Sequence, residues 1–332
     1  MLVLSLNKLV GWEGSAWLRT GELRTRLSEA RAAGFNALAA LNWWVPEFES
    51  DWWYVLKAAT PPDGTSIEQV VSESLSRPVL SFQFEHEFHG ANGSLQDWLS
   101  KRDRAKRAGA KGLCGDLVMV LAGHQEPGAY DAFEHPVPEL TISEFTPDSR
   151  ISRIYDELTK QQTEWDSGNR FVRSLSITPV AEFASFIGNC SPGIPSTSEV
   201  WRAFLLGVIM NVKHFDVLWG ANQNITGCTT VETLRPHIDR VWQDVLNVAR
   251  WLRQNESLIL DPQPWQRAVA SPPLEPPSAA TNWVWRGVYA AYKSEHAIVI
   301  NMNDRQVNCQ VELPFAPWRI DATLEPSGYL IL

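Results

Sequence analysis

Cysteine is scarce in this chain. Its 332 residues contain four, Cys114, Cys190, Cys228 and Cys309, and none shows the C-x-x-C spacing of zinc or dithiol redox sites. A disulfide-stapled scaffold is thereby excluded and buried thiols are expected, with a bridge between Cys190 and Cys228 the alternative for an exported protein. Excess positive charge is missing too: 29 basic side chains face 38 acidic ones, a net charge of -9. Nucleic acid and anionic membrane both demand a basic face, so neither is an expected partner. No apolar run approaches the ~20 residues of a bilayer span. Residues 1–6 are too short for the apolar region of a secretory signal and lack a basic start, so a cytoplasmic location is expected. No G-x-G-x-x-G follows a strand, and neither G-x-x-x-x-G-K-[ST] nor G-x-S-x-G occurs, which removes dinucleotide, phosphate-loop and serine-esterase chemistry. What the chain has in excess is tryptophan, 16 against 13 phenylalanines and 6 tyrosines. Indoles fill cores or stack on flat ligands, and the count alone does not choose.

Short apolar or alternating segments are repeatedly followed by stretches of helical periodicity. Strands are expected at 2–7, 36–43, 53–58, 78–87, 117–123, 140–145, 173–182 and 214–220. Helices are expected at 21–33, 66–75, 95–108, 149–165, 198–211 and 231–254, with caps at Thr65 or Ser66 and at Ser196 or Ser198. Eight strands in ~250 residues is the arithmetic of an α/β fold of the (β/α)8, or TIM-barrel, type. A doubly wound sheet is the alternative. Residues 1–260 are read as the barrel, the proline-rich 261–280 as a linker, and the alternating 281–332 as a small antiparallel β-sandwich-like domain.

Catalytic groups of such barrels sit at the C-terminal strand ends, so strand phase tests each carboxylate. In 78–87 the apolar set Leu80, Phe82 and Phe84 is expected to face the helices, which turns Ser81, Gln83, Glu85 and Glu87 toward the axis. In 173–182, Leu175, Ile177 and Ala181 alternate with Ser174, Ser176, Thr178 and Glu182, again turning a glutamate inward. Glu144 shares phase with Leu140 and Ile142 and ranks below them. Glu87 and Glu182 end the fourth and seventh strands, on roughly opposite sides of the mouth. Two carboxylates with different jobs are what glycoside hydrolysis requires. The alternative is a pair of solvated strand ends, or ion-pair partners of Arg173 or Lys213.

The string Leu80-Ser81-Phe82-Gln83-Phe84-Glu85-His86-Glu87-Phe88 resembles the fourth-strand motif of clan A β-galactosidases, an aromatic-Gln-apolar-acidic-Asn-Glu-aromatic string closing on the acid/base glutamate. Leu140 to Pro147 looks like the sixth strand, and Pro179-Val180-Ala181-Glu182-Phe183 like the seventh, with its nucleophile. Phe215-Asp216-Val217-Leu218-Trp219 resembles the eighth, whose tryptophan lines the sugar pocket, and residues 324–332 resemble the end of the appended β domain. The resemblance spans most of the chain, and its specific part is the fourth-strand string. It implies a retaining glycosidase acting on a β-linked sugar without a cofactor or metal, with Glu87 as general acid/base and Glu182 as nucleophile. The chain departs at His86, where the family has an asparagine that hydrogen-bonds the sugar hydroxyl beside the anomeric carbon.

Glu85 and His86, with Asn42, Trp43 and Trp219, are the expected sugar-binding residues: an indole covers the apolar face of a pyranose while amides take its hydroxyls. Asp216 and His124 are candidate sugar contacts, with loop polarity as their plainer explanation. Trp98, Trp165, Trp201, Trp242 and Trp251 fall on helices and read as core. Trp12, Trp17, Trp43, Trp44, Trp52, Trp53 and Trp219 read as an aromatic wall at the mouth. Two other classes stay open, a non-catalytic sugar-binding barrel in which His86 has ended the chemistry, and a metal-dependent hydrolase using His86, Glu87 and His89, although these lack the H-E-x-x-H spacing.

Overall fold

A computed structural model describes residues 1–7, 22–41, 52–57, 65–76, 78–85, 95–110, 119–122, 135–137, 139–141, 147–168, 172–178, 195–218, 231–316 and 319–332. The first part runs β1 (Val3–Asn7), α1 (Glu22–Ala33), β2 (Ala37–Leu41), β3 (Trp53–Lys57), α2 (Ile67–Ser74), β4 (Val79–Glu85), α3 (Leu95–Arg107), β5 (Met119–Ala122), β6 (His135–Val137), β7 (Glu139–Thr141), α4 (Pro147–Asp166), β8 (Ser174–Thr178), α5 (Thr197–Ile209), β9 (His214–Leu218), α6 (Val231–Gln254) and α7 (Glu256–Leu260). Every pairing among these strands is parallel, in the order β6-β5-β4-β3-β2-β1-β9-β8-β7. The two ends of that order are halves of one segment, 135–141. Its first half pairs with β5 and its second with β8, so the sheet closes on itself as an eight-stranded barrel. The sixth strand thus starts five residues before the expected 140. Pro136 and Pro138 hid it, because a proline cannot donate to a ladder and argues against a strand.

Alternation sorts the strand residues. Leu2, Leu4, Leu6, Phe35, Leu38, Tyr54, Leu175, Ile177, Phe215 and Val217 pack outward with the helices, while Val3, Ala37, Ala39 and Leu80 form a separate cluster inside the barrel with Trp53 against it. Leu80 corrects the expected phase. The β3–β4 register jumps from Tyr54↔Val79 to Val55↔Ser81, which inserts Leu80 as an extra residue, so Val79 and Phe82 face the helices and Leu80 faces inward. A second irregularity lies between Gln83 and Glu85 on the β5 side. Counting by twos from Leu80 therefore does not carry to Glu85.

Helix starts follow the caps read from the sequence. Ser66 accepts from the Gln69 amide at 3.1 Å, and Ser196 forms a reciprocal capping box with Glu199. α5 is buried on nearly every side because it lies between the barrel and the C-terminal region. Gly207 permits its approach to β9: a Cβ there would stand 2.6 Å from Phe215 Cε1.

The C-terminal region holds two antiparallel sheets, β10-β12-β13-β16 and β11-β14-β15, made of β10 (Gln266–Arg267), β11 (Val269–Ser271), β12 (Val288–Lys293), β13 (His296–Asn301), β14 (Val307–Glu312), β15 (Ile320–Leu324) and β16 (Tyr329–Ile331). Val288, Ala290, Val299, Cys309, Val311 and Leu324 pack between them, and Cys309 is a buried free thiol. Residues 266–271 are strands of these sheets, so the proline-rich stretch contributes to the sandwich. The other face of β12 and β13 belongs to the barrel's own core through Tyr289, Ala291, Ile298 and Ile300. Trp201 on α5 stacks on Tyr329 at 5.5 Å, and the Trp285 indole N–H donates to Asp156 on α4 at 2.6 Å. Lys293 donates to the carbonyls of Leu258 and Asp261 at the end of α7, while Lys213, just before β9, donates to Ile259 O. Cations from both regions thus satisfy the carbonyl end of one short helix.

Arg202 is, with Lys293, a buried charge in this interface. It is 1 % exposed, and its guanidinium donates to Asn301 O at 2.9 Å and Asn303 O at 3.3 Å. Arg202→Ala removes these charge-assisted bonds and leaves the Asn301 and Asn303 carbonyls without them. We expect a loss of about 3 kcal/mol in urea unfolding. A loss below half a kcal/mol would show that the contact carries no stability.

Candidate functional site

All strands of the barrel point the same way, so their C-terminal residues, Asn7, Leu41, Lys57, Glu85, Ala122, Thr141, Thr178 and Leu218, share one end. The residues singled out from the sequence follow these exits in the chain. Asn42 comes one residue after β2, Trp219 one after β9, Glu87 two after β4 and Glu182 four after β8. Asn42, Trp43, His86, Glu87, Glu182 and Trp219 lie outside the described residues, as do Cys190 and Cys228. Glu85 is the last residue of β4, with its backbone described. Around the ring, β4 and β8 are separated by β5 and the β6–β7 strand on one side and by β3, β2, β1 and β9 on the other. The two exits are three places apart in a ring of eight.

Below the exits the described interior residues fall into two groups. Under β1 to β4 lies the apolar cluster of Val3, Ala37, Ala39 and Leu80. Under β8, β9 and β1 the group is polar. Register sets Ser5, Asp216 and Ser176 side by side in one layer, above the layer of Val3, His214 and Ser174. Ser176 Oγ donates to Asp216 Oδ2 at 2.8 Å, and Ser5 Oγ donates to Asp216 Oδ1. His214 Nε2 lies 2.7 Å from the same Ser5 oxygen. With the serine proton given to the carboxylate, Nε2–H is the donor to Ser5, which defines the tautomer. The order is imidazole to hydroxyl to carboxylate. A nucleophilic triad needs the carboxylate on the imidazole and the imidazole as acceptor from the serine, so this cluster is no hydrolase triad.

Asp216 thus corrects its sequence reading: it is 2 % exposed on a strand, part of the floor beneath the exits, and not loop polarity. The signal was available, since Ser5, Ser176 and Asp216 each sit in the polar phase of their strand. What the sequence lacked was the register that joins them. Arg173 and Lys213, weighed as partners for the exit glutamates, come just before β8 and β9, at the opposite end. Arg173 donates to Gln162 Oε1 at 2.5 Å and Lys213 to Ile259 O. Trp52 and Trp53 also belong to that opposite end, because they begin β3. Trp52 is buried in the helix-facing core under the Arg31 guanidinium, 5.7 Å from the ring centroid. The proposed wall at the mouth loses both, since a strand's entrance and exit lie at opposite ends of the barrel.

No protein-family model matches the chain, and no curated protein matches it. Solved structures do. It is similar to a glycoside hydrolase family 5 protein from Bacteroides vulgatus, at 10% identity and a TM-score of 0.54, over 94% of this chain and 78% of that one. Amy13B of Eubacterium rectale is similar at 10% identity and a TM-score of 0.58, over 99% of this chain and 94% of that one. A family 27 β-L-arabinopyranosidase from Geobacillus stearothermophilus is similar at 10% identity and a TM-score of 0.52, over 99% and 96%. At this identity the likeness establishes the fold, a TIM-type barrel with a C-terminal β region. Among the described residues no helix is long and apolar enough to cross a membrane.

Full burial pushes the His214 imidazole down from 6.5 to about 3. Its folded value lies below its unfolded one, so the unfolded chain binds the extra proton, and the contribution to stability is complete above pH 6.5 and lost as pH falls. Urea unfolding between pH 7 and 5 is expected to weaken by up to about 1.4 kcal/mol per pH unit, with His214→Gln flattening the slope. A wild-type slope that survives the substitution would place the titrating group elsewhere.

Proposed function

We propose that the protein is a glycoside hydrolase that cleaves a β-linked sugar, a galactoside by resemblance, in two displacements with retention. The observation that supports it most is the ring order. A parallel closed barrel brings the exits of β4 and β8 to one end, three places apart, and the two glutamates in question follow those exits in the chain. A fold hosts many chemistries, so the fold neighbours alone do not choose this one. Their names nevertheless point repeatedly to carbohydrate. Because α-amylases are among them, the β linkage rests on the fourth-strand string around Glu87.

In this reading Glu182 attacks the anomeric carbon while Glu87 gives its proton to the leaving oxygen. Glu87 then takes a proton from the water that releases the sugar, which requires carboxyls ~5 Å apart. Glu85, two residues earlier, is the like charge that keeps Glu87 protonated at the start. His86 donates to the hydroxyl beside the anomeric carbon, and Asn42, Trp43 and Trp219 hold the ring by amide hydrogen bonds and stacking.

A panel of nitrophenyl glycosides tests the reading. Glu87→Gln and Glu182→Ala are each expected to cut kcat/KM by about a thousandfold or more with unchanged melting. Added azide is expected to restore turnover in Glu182→Ala by giving the glycosyl azide of opposite anomeric configuration. Full activity in either variant, or cleavage of none of the panel by the wild type, would overturn it.

A further inference from the structure

Asp216 and His214 stand inside the barrel at 2 % and 1 % exposure, where the apolar group of the interior is built from Val3, Ala37, Ala39 and Leu80. Taking a carboxylate out of water is expensive, and aliphatic side chains of similar volume fill such a space without that cost. Packing alone therefore does not account for Asp216. Its hydrogen bonds are those of an ionised carboxylate, because both oxygens accept: Oδ1 from Ser5 Oγ, and Oδ2 from Ser176 Oγ at 2.8 Å. His214 adds no opposing charge, since full burial pushes its imidazole down to about 3 and leaves it neutral near pH 7.

Register fixes where that charge sits. From β7 to β3 the partners of one rung are Glu139, Ser176, Asp216, Ser5, Ala37 and Trp53, a rung with two acidic positions and no basic one. Glu139, Ser176, Asp216 and Ser5 are each two residues before the last residue of their strand, about 7 Å of extended chain. Asp216 is therefore held just below the exits of β8 and β9, which lead in the chain to Glu182 and Trp219. Cleavage of a glycoside passes through a sugar that carries positive charge. A fixed anion aimed at developing charge acts without reorganising, and two unit charges ~10 Å apart at an effective dielectric constant of ~20 change a rate or an affinity about tenfold.

We propose that Asp216 is a buried electrostatic support of the active site, a fixed anion beneath the exits of β8 and β9 that favours a positively charged sugar over a neutral one. The ligand class rests on the glycosidase reading above; the anion and its place rest on the hydrogen bonds and the register. Ser5 and Ser176 hold the carboxylate from the two neighbouring strands, so its position does not depend on the loops beyond the exits.

Titration calorimetry with cationic iminosugars, deoxynojirimycin and its galacto and manno epimers, and with the parent neutral sugars tests the inference, beside hydrolysis of the nitrophenyl glycosides. Asp216→Asn keeps the volume and the hydrogen-bonding capacity of the side chain. It is expected to weaken the best-bound iminosugar and to lower kcat about tenfold each, while KM and the affinity for the neutral sugar stay within about twofold. A merely structural residue would lose both ligands together. Asp216→Ser, smaller and equally uncharged, is expected to give the same change in the iminosugar-to-sugar ratio. Ser5→Ala and Ser176→Ala leave the charge in place, so they are expected to lower the melting temperature and preserve that ratio. An unchanged ratio in both Asp216 variants, or an equal fall in the two serine variants, overturns the inference while hydrolysis by the wild type leaves the glycosidase reading intact. A wild type that cleaves no glycoside and binds no iminosugar overturns both. Iminosugar binding that depends on Asp216 in a protein without hydrolysis would sink the catalytic reading and leave the anion standing.

Discussion

Closure of the parallel sheet is the constraint on which the rest depends. An eight-stranded sheet of this kind loses its edges only when one strand pairs on both sides, and the 135–141 segment does so with different halves, the first to β5 and the second to β8. Pro136 is tolerated there because its half is only three residues long. Once closed, the ring sends every strand exit to one end. It also encloses an interior that must be filled, and this chain fills it unevenly, with aliphatic groups under β1 to β4 and with Ser5, Ser176, His214 and Asp216 under β8, β9 and β1. In the polar group Ser5 mediates between His214 and Asp216, and Ser176 donates to the same carboxylate.

The architecture was largely legible from periodicity. Most expected helices fall within two residues of α1 to α6, because caps such as Ser66 and Ser196 are local signals that tertiary packing rarely overrides. What failed was information that lives between strands. The inward turn of Leu80 comes from a bulge against β3, and the joining of Ser5, Ser176 and Asp216 comes from register across three strands separated by most of the chain. Trp52 and Trp53 were misplaced for a simpler reason: they were read at the entrance to the third strand and still counted toward the mouth, although a strand's entrance lies at the opposite end of the barrel. The proline-rich stretch was read as linker because proline density signals a break, yet Gln266–Arg267 and Val269–Ser271 are short edge strands, where proline nearby does least harm. The exit glutamates and His86 were legible only as a string, and their chemistry remains the proposal made above.

The C-terminal sheets are joined to the barrel as part of its core. One face of β12 and β13 continues the hydrophobic cluster of the helices, and the polar contacts at the border are of the kind that tolerate no slippage. Arg202 reaches across from α5 to carbonyls at and just beyond the end of β13, Trp285 fastens the 278–286 turn to α4, and two lysines share the end of α7.

The tie between the two ends of the barrel also governs how the chain is made. The Leu2 amide donates to Glu256, 254 positions later, and Arg253 donates to the Leu2 carbonyl, so β1 is locked only when α6 and α7 exist. On a ribosome adding about 5–20 residues per second, on the order of ten to fifty seconds separate the emergence of the first strand from that of its last partners. Through that interval the growing sheet has two open edges, one of them β1, a strand reading Val-Leu-Ser-Leu-Asn that has β2 on one side and still lacks β9 on the other. The nascent protein is therefore most exposed to misassociation before its final quarter is translated, and slowing synthesis lengthens that exposure in proportion.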